Sequence, residues 1–269
     1  MKRIGKQTFE IEGDCFIIGR DAIVGEKEKN GTFGKYIKHY VTDDKMGEKT
    51  FEKAERKMLS EIIRLTLQNA KISEKEIDLY LSGDLTNQLV TSNYVAEQLQ
   101  IPFVGIYSAC STITACLAVG ASLMETGAFN NILCSSISHF SSAERQYRYP
   151  LEFGNQRQSY SQWTVTAGGG FVLSNKKSKI RISKVCFSKV QDYGIVDIAN
   201  MGAAMAPDID IIGPCGMILP RISNTKFIKK EVNLVSTMYV KYENKSANFA
   251  DFFSYFIFIH NLDYLINSQ

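Results

Sequence analysis

Between residues 16 and 174, short β-rich runs, often bounded by Gly or Pro, alternate with longer helical patterns. That order predicts an α/β layered protein with parallel strands. In the stretch Phe51–Ala70, apolar residues recur at Phe51, Ala54, Met58, Ile62 and Leu65, with Leu59, Ile63, Leu67 and Ala70 beside them. Glu52, Lys53, Glu55, Lys57 and Arg64 fall elsewhere on the projection, so one amphipathic surface helix is expected. Ser73 to Glu76 match the capping-box pattern, but a strand-like run at 77–81 follows at once, and a turn is expected there. Residues 103–107 read as a buried strand. Residues 111–125 read as a helix that is apolar on nearly every side, which places it centrally, and Gly127 is its predicted stop. Further strands are predicted at 132–137, 163–173 and 180–190, with a polar and aromatic loop over 138–162 that is long enough to imply a function. Pro207 cuts short a helical start at 201–206. Beyond Arg221 no period is visible.

Composition narrows the class. At 269 residues, 45% hydrophobic and 22% charged, the chain has enough apolar material for a sizeable core. A formal charge of +3 from 31 basic and 28 acidic residues gives no argument for nucleic acid as a partner. The six cysteines (Cys15, Cys110, Cys116, Cys134, Cys186 and Cys215) form no CxxC pair and follow no secretory leader, which points to a reduced, intracellular compartment. The longest apolar run, 252–259, is too short to cross a bilayer.

Cys110 lies between a predicted strand and the first turn of a predicted helix, where backbone N–H groups and the helix dipole favour a thiolate. The competing reading is plain packing, since free cysteine is often buried, and for Cys116 and Cys134 packing is the expected role. His139 follows the 132–137 strand, where α/β proteins present site residues; it reads either as a ligand contact or as a satisfied structural histidine. His39 and His260 have no supporting context. No zinc spacing occurs, and no metal or cofactor is expected. The long loop carries Arg145, Arg148 and Arg157 among Tyr, Phe, Gln and Asn, a mixture suited to gripping a planar carboxylate, or else to ion pairs with Glu144 and Glu152. Gly168, Gly169 and Gly170 lack the Lys-Ser/Thr of a phosphate loop and read as glycines in a strand that another element approaches closely.

The run SACSTITACLAVGASLMETGAFNNILCSSISHFSSAERQYRYPLEFGNQRQSYSQWTVTAGGGFVLS resembles the stage V sporulation protein AD family. GKQTFEIEG, residues 31–49, LSGDLTNQ and DYGIVDIANMGAAMAP extend the resemblance over residues 5–207. It implies a thiolase-like αβαβα sandwich with an incomplete second repeat. The first half would span 1–175, the start of the second 176–220, and a divergent, poorly ordered tail 221–269, as in a truncated or divergent copy. It also implies a non-catalytic protein of a spore-forming bacterium. Such a protein binds dipicolinic acid, as the free acid or its calcium chelate, and assists its uptake into the spore with other proteins of the same transport system. The resemblance places it in the spore, at the inner membrane surface through those partners, as a homodimer. The ligand contacts expected are Cys110, His139, Arg145, Arg148 and Arg157. In thiolases and ketoacyl synthases the cysteine at the position of Cys110 is the acylated nucleophile, so the alternative is an acyl-transferring condensing enzyme. The activating GHxxG segment and the second-half CxG loop are not recognisable, which weighs toward binding.

Overall fold

The computed structural model describes residues 1–31, 34–147, 164–187 and 236–242. In chain order the elements are β1 (Lys2–Arg3), β2 (Thr8–Glu10), β3 (Phe16–Gly25), α1 (Glu26–Lys29), β4 (His39–Val41), α2 (Phe51–Ala70), β5 (Leu79–Asp84) and α3 (Val90–Leu99). Then come β6 (Phe103–Gly105), α4 (Thr112–Met124), β7 (Asn131–Ser138), α5 (Phe140–Tyr147), β8 (Ala167–Ser174), β9 (Ile180–Phe187) and β10 (Ser236–Tyr242). The strands form one sheet in the order β1-β2-β9-β3-β8-β7-β5-β6, with β4 beside β3 and β10 beside β9.

The sheet is mixed, not parallel as the alternating pattern predicts. β5 is parallel to β6 and β7, but β8 is antiparallel to both β7 and β3. Ser138 at the end of β7 pairs with Ala167 at the start of β8. The connection therefore leaves and re-enters at one end of the sheet, and no crossover is needed.

Alternation along the strands sorts the core into two layers. Leu81, Cys134, Phe171 and Leu173 face α4, while Tyr80, Leu133 and Val172 face α2 and α3. β3 changes face midway, because a register shift between Ile17 and Gly19 leaves an extra residue. Ile17 thus joins the α4 layer and Ile23 the α2 layer. Burial of these apolar faces is the main force holding the layers together.

α2 occupies the predicted span, with Thr50 as its N-cap accepting from Lys53 N–H. One expectation for it fails: Glu55 is fully buried, not on the outer face. Ser73 and Glu76 do form the capping box, although only around a single 3-10 turn. α4 is enclosed as its composition predicts. It packs against β5 and β7 and also runs beside β9 and β10, with Ile182 and Val185 in the same cluster as Leu117. Gly127 ends the stretch with φ +73. β8 contains the three glycines. A side chain at Gly168 would collide with Ile62, and one at Gly170 would come within 2.5 Å of Thr66 Oγ1, so glycine lets α2 lie directly on the sheet.

β8 and β9 straddle the expected 175/176 boundary. Phe16 pairs with Arg181, and β2 pairs with β9, so the strand after the boundary joins the same sheet. Of the expected tail, only Ser236–Tyr242 is described, as the strand paired with β9. The 201–206 helical start, Pro207 and the 252–259 apolar run lie outside the described residues. Among those residues no helix is long and apolar enough to cross a membrane.

Candidate functional site

β5, β6 and β7 run in one direction, and the chain leaving their carboxyl ends brings the candidate residues to that end of the sheet. After β6 the backbone stays tied to β5, with Ile106 N–H donating to Ser82 O at 2.9 Å. The Ile106 carbonyl sits over Gly83 so closely that any side chain there would collide with it. Ala109 then adopts φ +43, a left-handed conformation that a non-glycine residue holds only against strain. Hydrogen bonds among Ser108, Ser111 and Thr112 fix the turn: Thr112 Oγ1 donates to Ala109 O and Ser111 Oγ to Ser108 O, each at 2.8 Å. Cys110 sits inside this turn, one 3-10 step before α4.

Two expectations about Cys110 change. β6 is a three-residue strand at the sheet edge, with Val104 47% exposed, instead of a buried strand. The thiol is half-buried, and desolvation raises its pKa above the ordinary value, only partly offset by a backbone hydrogen bond. The helix N-terminus therefore does not produce a thiolate here; loss of water outweighs it. Cys116 and Cys134 are fully buried between α4 and β7, in the packing role expected of them.

The segment after β7 is a helix, α5, where the sequence suggests a loop. Its inward face is polar, with Ser141, Ser142 and Glu144 buried beside Ala143, so the hydrophobic period that signals a helix is missing. His139, just before α5, is buried with both ring nitrogens engaged. Nδ1 accepts from Ser141 N–H at 3.2 Å, so Nε2 carries the proton and donates to Asp44 O at 2.7 Å. Desolvation lowers its pKa, and the ring packs on Phe51. This is the structural histidine of the two readings, and it has no nitrogen left for a ligand.

Arg145 on α5 is exposed and pairs with Glu52 of α2 at 3.1 Å, with its guanidinium 5.5 Å from the centre of the Phe51 ring. The described ion pair of Arg145 is thus with Glu52, while Glu144 accepts from Thr164 N–H at 2.9 Å and Glu152 lies outside the described residues. Arg148 and Arg157 lie outside the described residues. Cys110 and Arg145 share one end of the sheet but not one face: Cys110 leads into α4, and α5 docks on α2. Gln146 accepts from Asn87 N–H at 2.7 Å, which ties α5 to the loop after β5.

Two buried carboxyls that sequence patterning does not single out lie between these points. Asp84 ends β5 and accepts from Thr86 N–H at 3.0 Å and from Ser92 N–H in the first turn of α3 at 2.7 Å. Asp-x-Thr after a strand is a legible signal for such a turn. Glu55 accepts from Ser142 Oγ at 2.8 Å. Its burial is invisible in the helical projection of α2, where it reads as solvent-facing.

A separate cleft of about 780 Å³ opens between α2, α3 and β4, and His39 lines it with Lys57 and Arg64. His39 Nε2 lies 3.7 Å from the buried Asp21. Of the expected ligand contacts, the described ones (Cys110, His139 and Arg145) do not line this cleft. His260 lies outside the described residues.

A mixed sheet with helices on both faces, an enclosed central helix, and a cysteine in a strained turn at that helix's start define a thiolase-like fold. OleA of Xanthomonas campestris (H285N form) superposes with a TM-score of 0.50 at 13% identity, over 76% of this chain and 71% of that one. 3-Oxoacyl-[acyl-carrier-protein] synthase III of Aquifex aeolicus matches at 0.44 and 19% identity, over 62% of this chain and 56% of that one. Within that fold class the chain belongs to the stage V sporulation protein AD family, whose profile matches residues 5–213. Stage V sporulation protein AD of Bacillus subtilis is 39% identical over 207 residues, 77% of this chain. The chain thereby spans about 61% of the length of that relative.

Proposed function

We propose that this sporulation-family protein binds dipicolinic acid, free or as its calcium chelate, at the carboxyl end of β6 without transforming it. Binding serves uptake into the spore of a spore-forming bacterium. It operates beside other proteins of the same transport system, through which the chain reaches the inner membrane surface. The observation that carries this reading is Cys110 itself: a half-buried thiol held above its ordinary pKa in a rigid turn, with no cation among the described residues lowering it. Such a thiol lines a site better than it attacks from one. Of the other expected contacts, Arg145, Arg148 and Arg157 supply the cations for a flat dianion, and Arg145 must exchange Glu52 for the ligand. His139 contributes by fixing the start of α5, not by contact. The strained Ala109 beside Cys110 favours, as a second reading, an acyl-transferring condensing enzyme. That chemistry requires a base, and of the two described histidines His139 is spent and His39 belongs to the other cleft. The chain acts as a homodimer through the edge of β6 that is unpaired among the described residues.

Titration calorimetry tests the proposal. Dipicolinate is expected to bind at least tenfold tighter than benzoate, with Arg145→Ala and Cys110→Ala each weakening it several-fold, and incubation with an acyl thioester is expected to leave the protein mass unchanged. Equal affinity for the two acids, or an acyl adduct on Cys110, would overturn it.

A further inference from the structure

Ser142 on α5 donates to Glu55 Oε2 of α2 at 2.8 Å, and Glu55 is fully buried. Its other oxygen, Oε1, makes no hydrogen bond of full geometry, although the buried hydroxyl of Thr91 on α3 lies close enough to act on the carboxyl. The groups that act on this carboxyl are Ser142 from α5, Thr91 from α3, Asp84 from the end of β5, and Glu52 one turn earlier on α2. None is a cation. His139, at the start of α5, faces Asp44 and Phe51 instead. Asp84 is engaged by Thr86 and Ser92, and Glu52 by Arg145. Burial pushes the Glu55 carboxyl up to about 8; Asp84 and Glu52 add to this, and Ser142 and Thr91 oppose it. An ionised Glu55 therefore has only two hydroxyls and no cation to offset its burial while α5 is docked. The least costly relief is to lift this eight-residue helix and admit water, which spares α2 and the central strands.

We propose that Glu55 is a proton-operated latch for α5, the helix that leads from the end of β7 into the arginine-bearing segment: docked while the carboxyl is protonated, released as it ionises. The latch concerns the helix and stands whichever ligand the site takes. With α5 lifted, the carboxyl regains its ordinary value near 4.5. Opening then rises about tenfold per pH unit between about 4.5 and about 8, and levels off above, where both states are ionised.

Hydrogen–deuterium exchange of the full chain from pH 5.5 to 9, divided by intrinsic rates, reads this directly. In the wild type, α5 amides are expected to open about a hundredfold more at pH 7.5 than at 5.5 and to change little above 8. In Glu55→Gln the profile is expected to be flat, and in Ser142→Ala α5 is expected to open faster at pH 5.5 with the slope retained. A wild-type slope that survives in Glu55→Gln, or α2 and α3 amides opening in step with α5, would overturn the latch. If Glu55→Gln does not fold, the wild-type profile decides: a slope confined to α5 supports the latch, and its absence refutes it.

Discussion

Glu55 makes the folding free energy depend on pH through a single side chain. Its folded pKa of about 8 lies above the ordinary 4.5, so the folded chain holds a proton that the unfolded chain releases. Its contribution is fully present below about 4.5 and is lost as pH rises through about 8. Replacing it by glutamine removes the ionisation but keeps the shape. Glu55→Gln is therefore expected to match the wild type near pH 4.5 and to exceed it by on the order of a few kcal/mol at pH 8, measured by urea denaturation. A constant difference across that range would show that the carboxyl is hydrated in the folded chain. The same desolvation acts on Cys110 and His139, raising one pKa and lowering the other, which makes both neutral, structure-fixed groups near neutral pH.

At the level of elements, β6 stands out because its outer edge is unpaired among the described residues. Val104 on it and Tyr107 beyond it are 47% and 53% exposed, and Val90 and Tyr94 of α3 are exposed nearby in sequence. Open edges with exposed apolar residues pair with another chain unless they are blocked. Sedimentation is expected to show a dimer for the wild type and a monomer for Val104→Lys, and a wild-type monomer would remove the homodimer. The elements also show what the sequence could and could not reveal. α2 is legible because its apolar period is strong, α4 because it is a long run that is apolar on nearly every side, and β7 because it is a short apolar run of strand length. α3 and α5 are not, because Thr91, Ser92, Ser141 and Ser142 are buried polar residues whose hydrogen bonds are tertiary. The orientation of β8 was hidden for a related reason: the alternation of elements is silent on which end of the sheet a connection returns to.

For the whole molecule, the thiolase-like arrangement puts the cysteine turn and Arg145 at one end of the sheet, with α4 and α2 on its opposite faces. Cys110 was the readable part of the site, since a strand-to-helix junction is visible in sequence. Asp84 is legible only as a turn former and Glu55 not at all, because their significance lies in burial. A ligand that bridges the two faces must cross the sheet end above Gly83 and Asp84, where the Ile106 carbonyl lies against the strand. The most direct test of dipicolinate capture at Cys110 is the alkylation rate of that thiol by iodoacetamide, followed by peptide mass, with and without saturating dipicolinate. Cys186, half-buried on β9, serves as the internal control. The account predicts at least tenfold protection of Cys110 with Cys186 unchanged; equal rates at Cys110 with and without ligand would contradict it.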